Sequence, residues 1–165
     1  MRDDRTIDAK DVEILSLIQA NARLAQAEIA RAVGLAPSAV LERLRKLETR
    51  GVIRGYTALV DPEVLDLRML AFVGVQTADR PGESRVGQAL AAVPEVLEVH
   101  HVAGDDCLLL KIRARDGAHL SQILRERLGA IEGVRSTRTT IVLETVKETS
   151  RLAIGSPAPA GAEVA

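Results

Sequence analysis

The spacing of apolar residues changes once along this chain, near residue 61, and the two halves it separates cannot share one regular architecture. Ahead of the change the period is helical. "DAKDVEILSLIQAN" sets Ile14, Leu15 and Ile18 on one side of a helix, and "QAEIARAVGL" does the same with Ile29, Ala30 and Val33. In "APSAVLERLRKLETRG" the apolar stripe is Val40, Leu44 and Leu47. Gly34 supplies the stop for the second helix. Pro37 suits the first position of the third, since it has no amide to leave unbonded, and Gly51 follows its end. "VIRGYTALV" then reads as a short strand or hairpin, and "DPEVLDLR", with its proline, as a connector.

Beyond the connector, "MLAFVGVQT", "VLEVHHVA", "CLLLKIRA" and "STRTTIVLETV" are β-like runs rich in branched residues. Two helical segments interrupt them: "GESRVGQALAAV", with Val86, Ala89, Leu90 and Val93, and "AHLSQILRERLGAI", with Leu120, Ile123, Leu124 and Leu128. The order strand, helix, strand, strand, helix, strand specifies a ferredoxin-like βαββαβ sandwich with both helices on one face of the sheet. Leu109, Ile141 and Leu143 predict an apolar sheet face that a second subunit covers, unless some of them face the helices. The expected class is α+β: an N-terminal winged helix-turn-helix over residues 1–60, a linker over 61–69, and a C-terminal sandwich over 70–152. The remaining 153–165, "AIGSPAPAGAEVA", is a Pro/Gly-rich stretch of small residues that cannot repay its ordering entropy by burial, and reads as a disordered tail.

Three short helices, a basic third one and a following β element describe a winged helix-turn-helix. A DNA-reading helix must hold to its neighbours by one face while offering short polar and basic side chains on the other. Advancing 100° per residue from the stripe of the third helix puts Ser38, Ala39, Glu42, Lys46 and Thr49 on the outer face, with Arg43 and Arg45 flanking them. Net charge is -1, so the chain is no general polycation. Basicity is local: between residues 38 and 54, Arg43, Arg45, Lys46, Arg50 and Arg54 stand against only Glu42 and Glu48. The plainer reading of the same charges is the solvated face of a surface helix. On the DNA reading, Ser38, Ala39 and Glu42 lie near base edges, and Arg43, Arg45, Lys46 and Arg54 face phosphates or guanines of double-stranded DNA.

Enzymatic chemistry has little support, since no nucleophile motif, phosphate loop or metal-ligand cluster is present, and neither a metal nor a cofactor is expected. His100 and His101, adjacent on a strand, point to opposite faces and cannot form one metal site. Cys107 is the single cysteine; a redox role is one reading and a small apolar group the plainer one. No run approaches the length of a membrane span and the N-terminus is polar, so no membrane partner and a cytoplasmic location are expected.

"VGLAPSAVLERLRKLETRGVIRGYTALVDP" closely resembles the helix-turn-helix and wing of the Lrp/AsnC, or feast/famine, transcriptional regulators. The resemblance runs from about Ile7 to Leu152 and takes in "VAGDDCLLLK", "IEGVRSTRTT" and "ETVKETSRL". It implies a regulator, not an enzyme, that dimerises through the second domain, assembles further into tetramers or octamers, and binds a small-molecule effector, often an amino acid, between dimers. The implied effector residues are Val102, Gly104, Asp105, Cys107 and the strand Thr139, Thr140, Ile141, Val142, with Asp105 placed to hold an ammonium group. A hairpin turn is the plain reading of Gly104 and Asp105, and the two are compatible. This chain departs from the family in having Ala25 and Ala36 where serine often caps a helix, and Cys107 and Leu108 where many members have an acid and a tyrosine. Two other activities fit the same architecture: an effector-independent chromosome-organising protein, and a sirohaem-decarboxylase-like enzyme using His100 or His101 on a tetrapyrrole.

Overall fold

The computed structural model describes residues 6–79 and 83–154, in two compact units. One unit takes in 6–58 and 148–154; the other is Leu59–Lys147.

In the first unit, α1 (Ala9–Ala20), α2 (Gln26–Val33) and α3 (Pro37–Thr49) bury Ile14, Ile29, Ala30, Val33, Val40 and Leu44 in one cluster. Each fully buried aliphatic side chain of this kind contributes about 1.5–3 kcal/mol by leaving water. Gly34 ends α2 in the left-handed region at φ 70°, and Leu35 N donates to Ala30 O at 3.0 Å. The caps missing from the sequence are missing in space: neither Ala25 nor Ala36 offers a side-chain bond, although Glu28 Oε2 accepts from Ala25 N at 2.9 Å.

Residues 52–60, expected as a strand or hairpin, form no strand in the single chain. Extended backbone becomes a strand only beside a partner edge, and none lies next to it here. Tyr56, Leu59 and Val60 remain exposed. The stretch 148–152 packs with the first unit. Gln19 holds it there: Leu152 N donates to Gln19 Oε1 at 2.9 Å, Gln19 Nε2 to Leu152 O at 3.2 Å, and Arg151 Nε to Gln19 O at 2.9 Å. Of the expected tail, 155–165 lie outside the described residues.

The second unit contains β1 (Met69–Thr77), α4 (Arg85–Ala91), β2 (Val96–His101), β3 (Leu108–Ala114), α5 (Gly117–Gln122) and β4 (Val134–Ile141). The sheet order is β2-β3-β1-β4, every pair antiparallel, which is the expected βαββαβ arrangement. After α5 the chain widens into a π-helical turn over Ile123–Leu128. Ala71, Val73, Val75, Leu108, Leu110 and Ile112 on the sheet pack against Val86, Leu90, Leu120, Ile123 and Leu128 from the helices.

Alternation then assigns Phe72, Gly74, Gln76, Leu109, Lys111, Arg138 and Thr140 to the opposite face. Leu109 and Ile141, expected to share one face, do not. Leu109 pairs with Gly74 on the open face, whereas Ile141 pairs with Ala71 and so points to the helix side, where it stays 48% exposed on the edge strand. His100 and His101 point to opposite faces, as their adjacency requires: His100 pairs with Leu109 and His101 with core residue Leu108.

Candidate nucleic-acid interface and ligand turn

The first unit turns one face of α3 to solvent because Val40, Leu44 and Leu47 are spent on the core. Ser38, Glu42, Arg45 and Lys46 are exposed on it, Ala39 and Arg43 half-buried, and Arg54 is exposed in the chain beyond Gly51. Lys46 Nζ lies 2.6 Å from Glu42 Oε1, one helical turn back, with both side chains about two-thirds exposed, at 64% and 67%. That hydrogen bond, and the lysine charge behind it, hold the Glu42 carboxyl below its ordinary value. Among the described residues, Arg45 and Arg54 have no carboxylate partner.

Arg43 is placed differently from its neighbours. Its Nη1 donates to Asp8 Oδ2 at 2.6 Å and to Asp11 Oδ1 at 2.8 Å. These are the two acids at the head of α1, and they also cap it reciprocally: Asp11 N donates to Asp8 Oδ1 at 2.8 Å and Asp8 N to Asp11 Oδ2 at 3.2 Å. The Asp8 carboxyl is lowered first by the Asp11 amide and then by Arg43, and the Arg43 guanidinium is raised by the hydrogen bonds to Asp8 and Asp11. An open groove of about 500 Å³ runs between the head of α1 and α3, with Asp8, Asp11, Glu42, Arg43 and Lys46 along it. The sequence reading missed Asp8 and Asp11; the spacing of the two acids in "DAKD" signals the cap but not the reach to Arg43.

In the second unit, Val102 N donates to Cys107 O at 3.2 Å and Cys107 N to Val75 O at 3.0 Å, closing a turn beside the end of β1. Gly104 sits at φ 143°, a conformation L side chains rarely adopt, which is the hairpin role read from the sequence. Val102, Asp105 and Cys107 are exposed. The turn is fixed to the sheet through its backbone: Gln76 Nε2 donates to Asp105 O at 3.2 Å and Ser136 Oγ donates to Gln76 Oε1 at 3.1 Å. Asp106 turns back over the open sheet face to meet Arg138 Nη2 at 2.5 Å, its side chain only 15% exposed. A Cβ at Gly74 would come within 2.2 Å of Asp106 Oδ2, so the carboxylate lies there only because β1 has a glycine. Neither Gly74 nor Arg138 was singled out from the sequence.

Thr139, Thr140, Ile141 and Val142 follow directly on Arg138, whose guanidinium meets Asp106 of the turn. They lie beside Val73, Phe72, Ala71 and Leu70, toward the start of β1, whereas the turn adjoins its end at Val75 and Gln76. Successive strand residues rise by about 3.3 Å, so Thr139 lies about 7 Å along the strand from the level of Val75, and Val142 about 20 Å from that of Gln76. Thr140 is exposed, Thr139 and Val142 half-buried.

No helix among the described residues is long and apolar enough to cross a membrane. Residues 7–54 match the family model described as winged helix-turn-helix DNA-binding, and residues 70–152 match the Lrp/AsnC ligand binding domain. The HTH-type transcriptional regulator FL11 of Pyrococcus horikoshii is 40% identical over 149 residues, 90% of this chain and 97% of that protein. The leucine-responsive regulatory protein of Salmonella typhimurium is 40% identical over 156 residues, 93% of this chain and 94% of its own. A Neisseria meningitidis transcriptional regulator solved as a complex with L-methionine superposes with a TM-score of 0.82 at 32% identity, covering 89% of this chain and 96% of that one. A feast or famine regulatory protein from Mycobacterium tuberculosis, also complexed with L-methionine, gives 0.83 at 31% identity and coverage of 91% and 100%. Two domain matches in order, and relatives alike across nearly their whole length, make this chain a member of the Lrp/AsnC family of DNA-binding transcriptional regulators.

Proposed function

We propose that the regulator binds double-stranded DNA through α3 as a homodimer or a larger even-numbered assembly, and that a small amino acid held at the Gly104–Cys107 turn changes its assembly or its DNA affinity. The observation that carries the DNA reading is the solvent face of α3, which presents Ser38, Ala39 and Glu42 for base edges and Arg45 and Lys46 for phosphates, with Arg54 exposed in the chain just beyond the helix. Arg43, with its guanidinium engaged by Asp8 and Asp11, stands apart from these. A helix of 13 residues reads too few base pairs for genomic selectivity, which favours two half-sites and therefore two copies. Leu59 at 89% exposure, Leu143 at 97% and Val146 at 91% are apolar surfaces of the kind that association covers. A monomer at micromolar concentration would defeat this part.

For the effector, the exposed Asp105 carboxylate is an acceptor for an ammonium group beside a backbone turn. The L-methionine complexes of two structural relatives support an amino acid with an apolar side chain. Thr140 to Val142 lie progressively farther from the turn along the sheet, so a pocket that both groups line across their whole length draws on a second copy. Titrating L-methionine and other amino acids into wild-type protein and Asp105→Ala tests it. Loss of the ligand response with ligand-free DNA binding kept is expected, because the two sites are coupled but lie in separate units. An unaltered response in Asp105→Ala refutes the pocket.

A further inference from the structure

We propose that Arg43 is a positioning residue: it fixes the pose of the DNA-reading helix from behind and neutralises no phosphate. The proposal rests on α3 being the helix that meets DNA. Three apolar side chains, Val40, Leu44 and Leu47, hold α3 to its neighbours. Such packing is non-directional and tolerates small rotations about the helix axis. The contact through Arg43 is directional. One nitrogen, Nη1, lies between Asp8 Oδ2 and Asp11 Oδ1, and each of those carboxylates is already fixed by the backbone amide of the other. The head of α1 is therefore a rigid acceptor pair, and Arg43 meets it at one rotation of α3.

Charge accounting points the same way. Asp11 is 7% exposed, so its carboxylate depends on the Asp8 amide and on Arg43 for compensation. Drawing the guanidinium out to a phosphate would leave two acids, one of them buried, around an unfilled space. Those acids would also line the groove beside Lys46 and repel the backbone that α3 approaches. Arg45, exposed and without a carboxylate partner, and Lys46, paired only with the equally exposed Glu42, are the cations free to leave for DNA.

The test uses the full-length protein, an operator selected by the wild-type chain from a random-sequence duplex pool, and a scrambled duplex of equal length, each over a salt series. Arg43→Ala is expected to lose about tenfold or more on the operator, the loss that goes with a removed charge-assisted hydrogen bond, while the scrambled duplex and the salt slope stay as they were. Asp11→Asn removes a negative charge and on electrostatics alone should tighten binding everywhere; positioning predicts weaker operator binding instead. The double variant Arg43→Ala, Asp11→Asn should bind no worse than Arg43→Ala, since both break one contact. Arg43→Lys should rescue operator binding, because a single ammonium can lie between the two carboxylates as Nη1 does. If Arg43→Ala melts below the assay temperature, Arg43→Lys and Asp11→Asn carry the test. A flattened salt slope in Arg43→Ala, or tighter binding to both duplexes in Asp11→Asn, overturns the proposal. Failure of α3 itself shows differently: Lys46→Ala then also leaves both affinities and the slope unchanged.

Discussion

Lys46→Ala tests the DNA face most directly. Each Lys46 that neutralises one phosphate contributes about 0.9 to the slope of log affinity against log salt, so two half-sites lose about 1.8. Between 50 and 200 mM salt that difference amounts to about one decade, and the wild-type advantage over Lys46→Ala at the low end should shrink by about tenfold across the range. Nothing in the core answers for Lys46: its side chain is 64% exposed and its one partner, Glu42, is equally solvated, so the folded state should be nearly unchanged. Glu42→Gln separates two roles for the acid. It releases Lys46 from the 2.6 Å pair and removes a negative charge, which raises affinity for any duplex. If Glu42 also accepts from a cytosine amino group, operator affinity falls while scrambled-duplex affinity rises. Fluorescence anisotropy on labelled duplexes at five or more salt concentrations measures both. A slope in Lys46→Ala equal to the wild type's refutes the phosphate role, whatever the affinity does.

Gly74→Ala places a Cβ 2.2 Å from Asp106 Oδ2 and 2.6 Å from its Cγ, too close to coexist with the pair to Arg138. Urea unfolding should show a loss of about 1–3 kcal/mol, as for other overpacked sites, and adding Asp106→Ala should recover part of it; no loss would mean the carboxylate moves aside freely. Tyr56 is the single tyrosine of a chain without tryptophan, so tyrosinate absorbance reports on it alone. Partial burial, then the 2.8 Å hydrogen bond to Glu48, push its phenol up to about 12. A folded value above the ordinary one favours the protonated phenol in the fold. Its contribution is therefore complete below about pH 10 and declines as pH rises toward 12. A titration midpoint near the ordinary value in the folded protein, or one that Glu48→Gln does not lower, contradicts the contact.

Much of this fold is readable from spacing because the informative interactions are local. Apolar period, Gly34 and Pro37 mark the three helices, and the strand and helix order of residues 69–141 leaves one antiparallel topology. What the sequence concealed depends on register or on distance along the chain. Placing Leu109 and Ile141 on one face needs the parity of two pairings, and a slip of one residue reverses it. The Arg43 contact spans 32 residues to Asp11 and 35 to Asp8, so no local pattern announces it. A strand at 52–60 failed for a different reason: its residues have the propensity, but the edge that would make them a strand is not supplied by the same chain. The π-helical turn is the reverse case. Leu120, Ile123 and Leu128 are all buried, and the five residues from Ile123 to Leu128 overshoot a regular turn by about 140°, a mismatch the wider turn absorbs.

The same distinction sharpens the effector proposal. In the sequence, Cys107 and Leu108 in place of a family acid and tyrosine leave Asp105 and Asp106 as the nearby acceptors for an ammonium and favour an apolar ligand side chain. In space the two acids differ in their surroundings, and Leu108 stands apart from the turn. Leu108 is 1% exposed, pairs with Val75 and faces the helices, so a hydroxyl from its backbone direction would enter the core rather than the turn. Asp106 is committed to Arg138 over Gly74, where a second positive group would have to displace a guanidinium already within hydrogen-bond reach. That leaves Asp105 as the acidic side chain of the turn open to an ammonium, and Cys107, exposed and weakly polar, as its neighbour in place of a carboxylate. A ligand side chain seated against Cys107 meets no charge of its own to balance, which favours an uncharged, apolar amino acid over an acidic or a basic one.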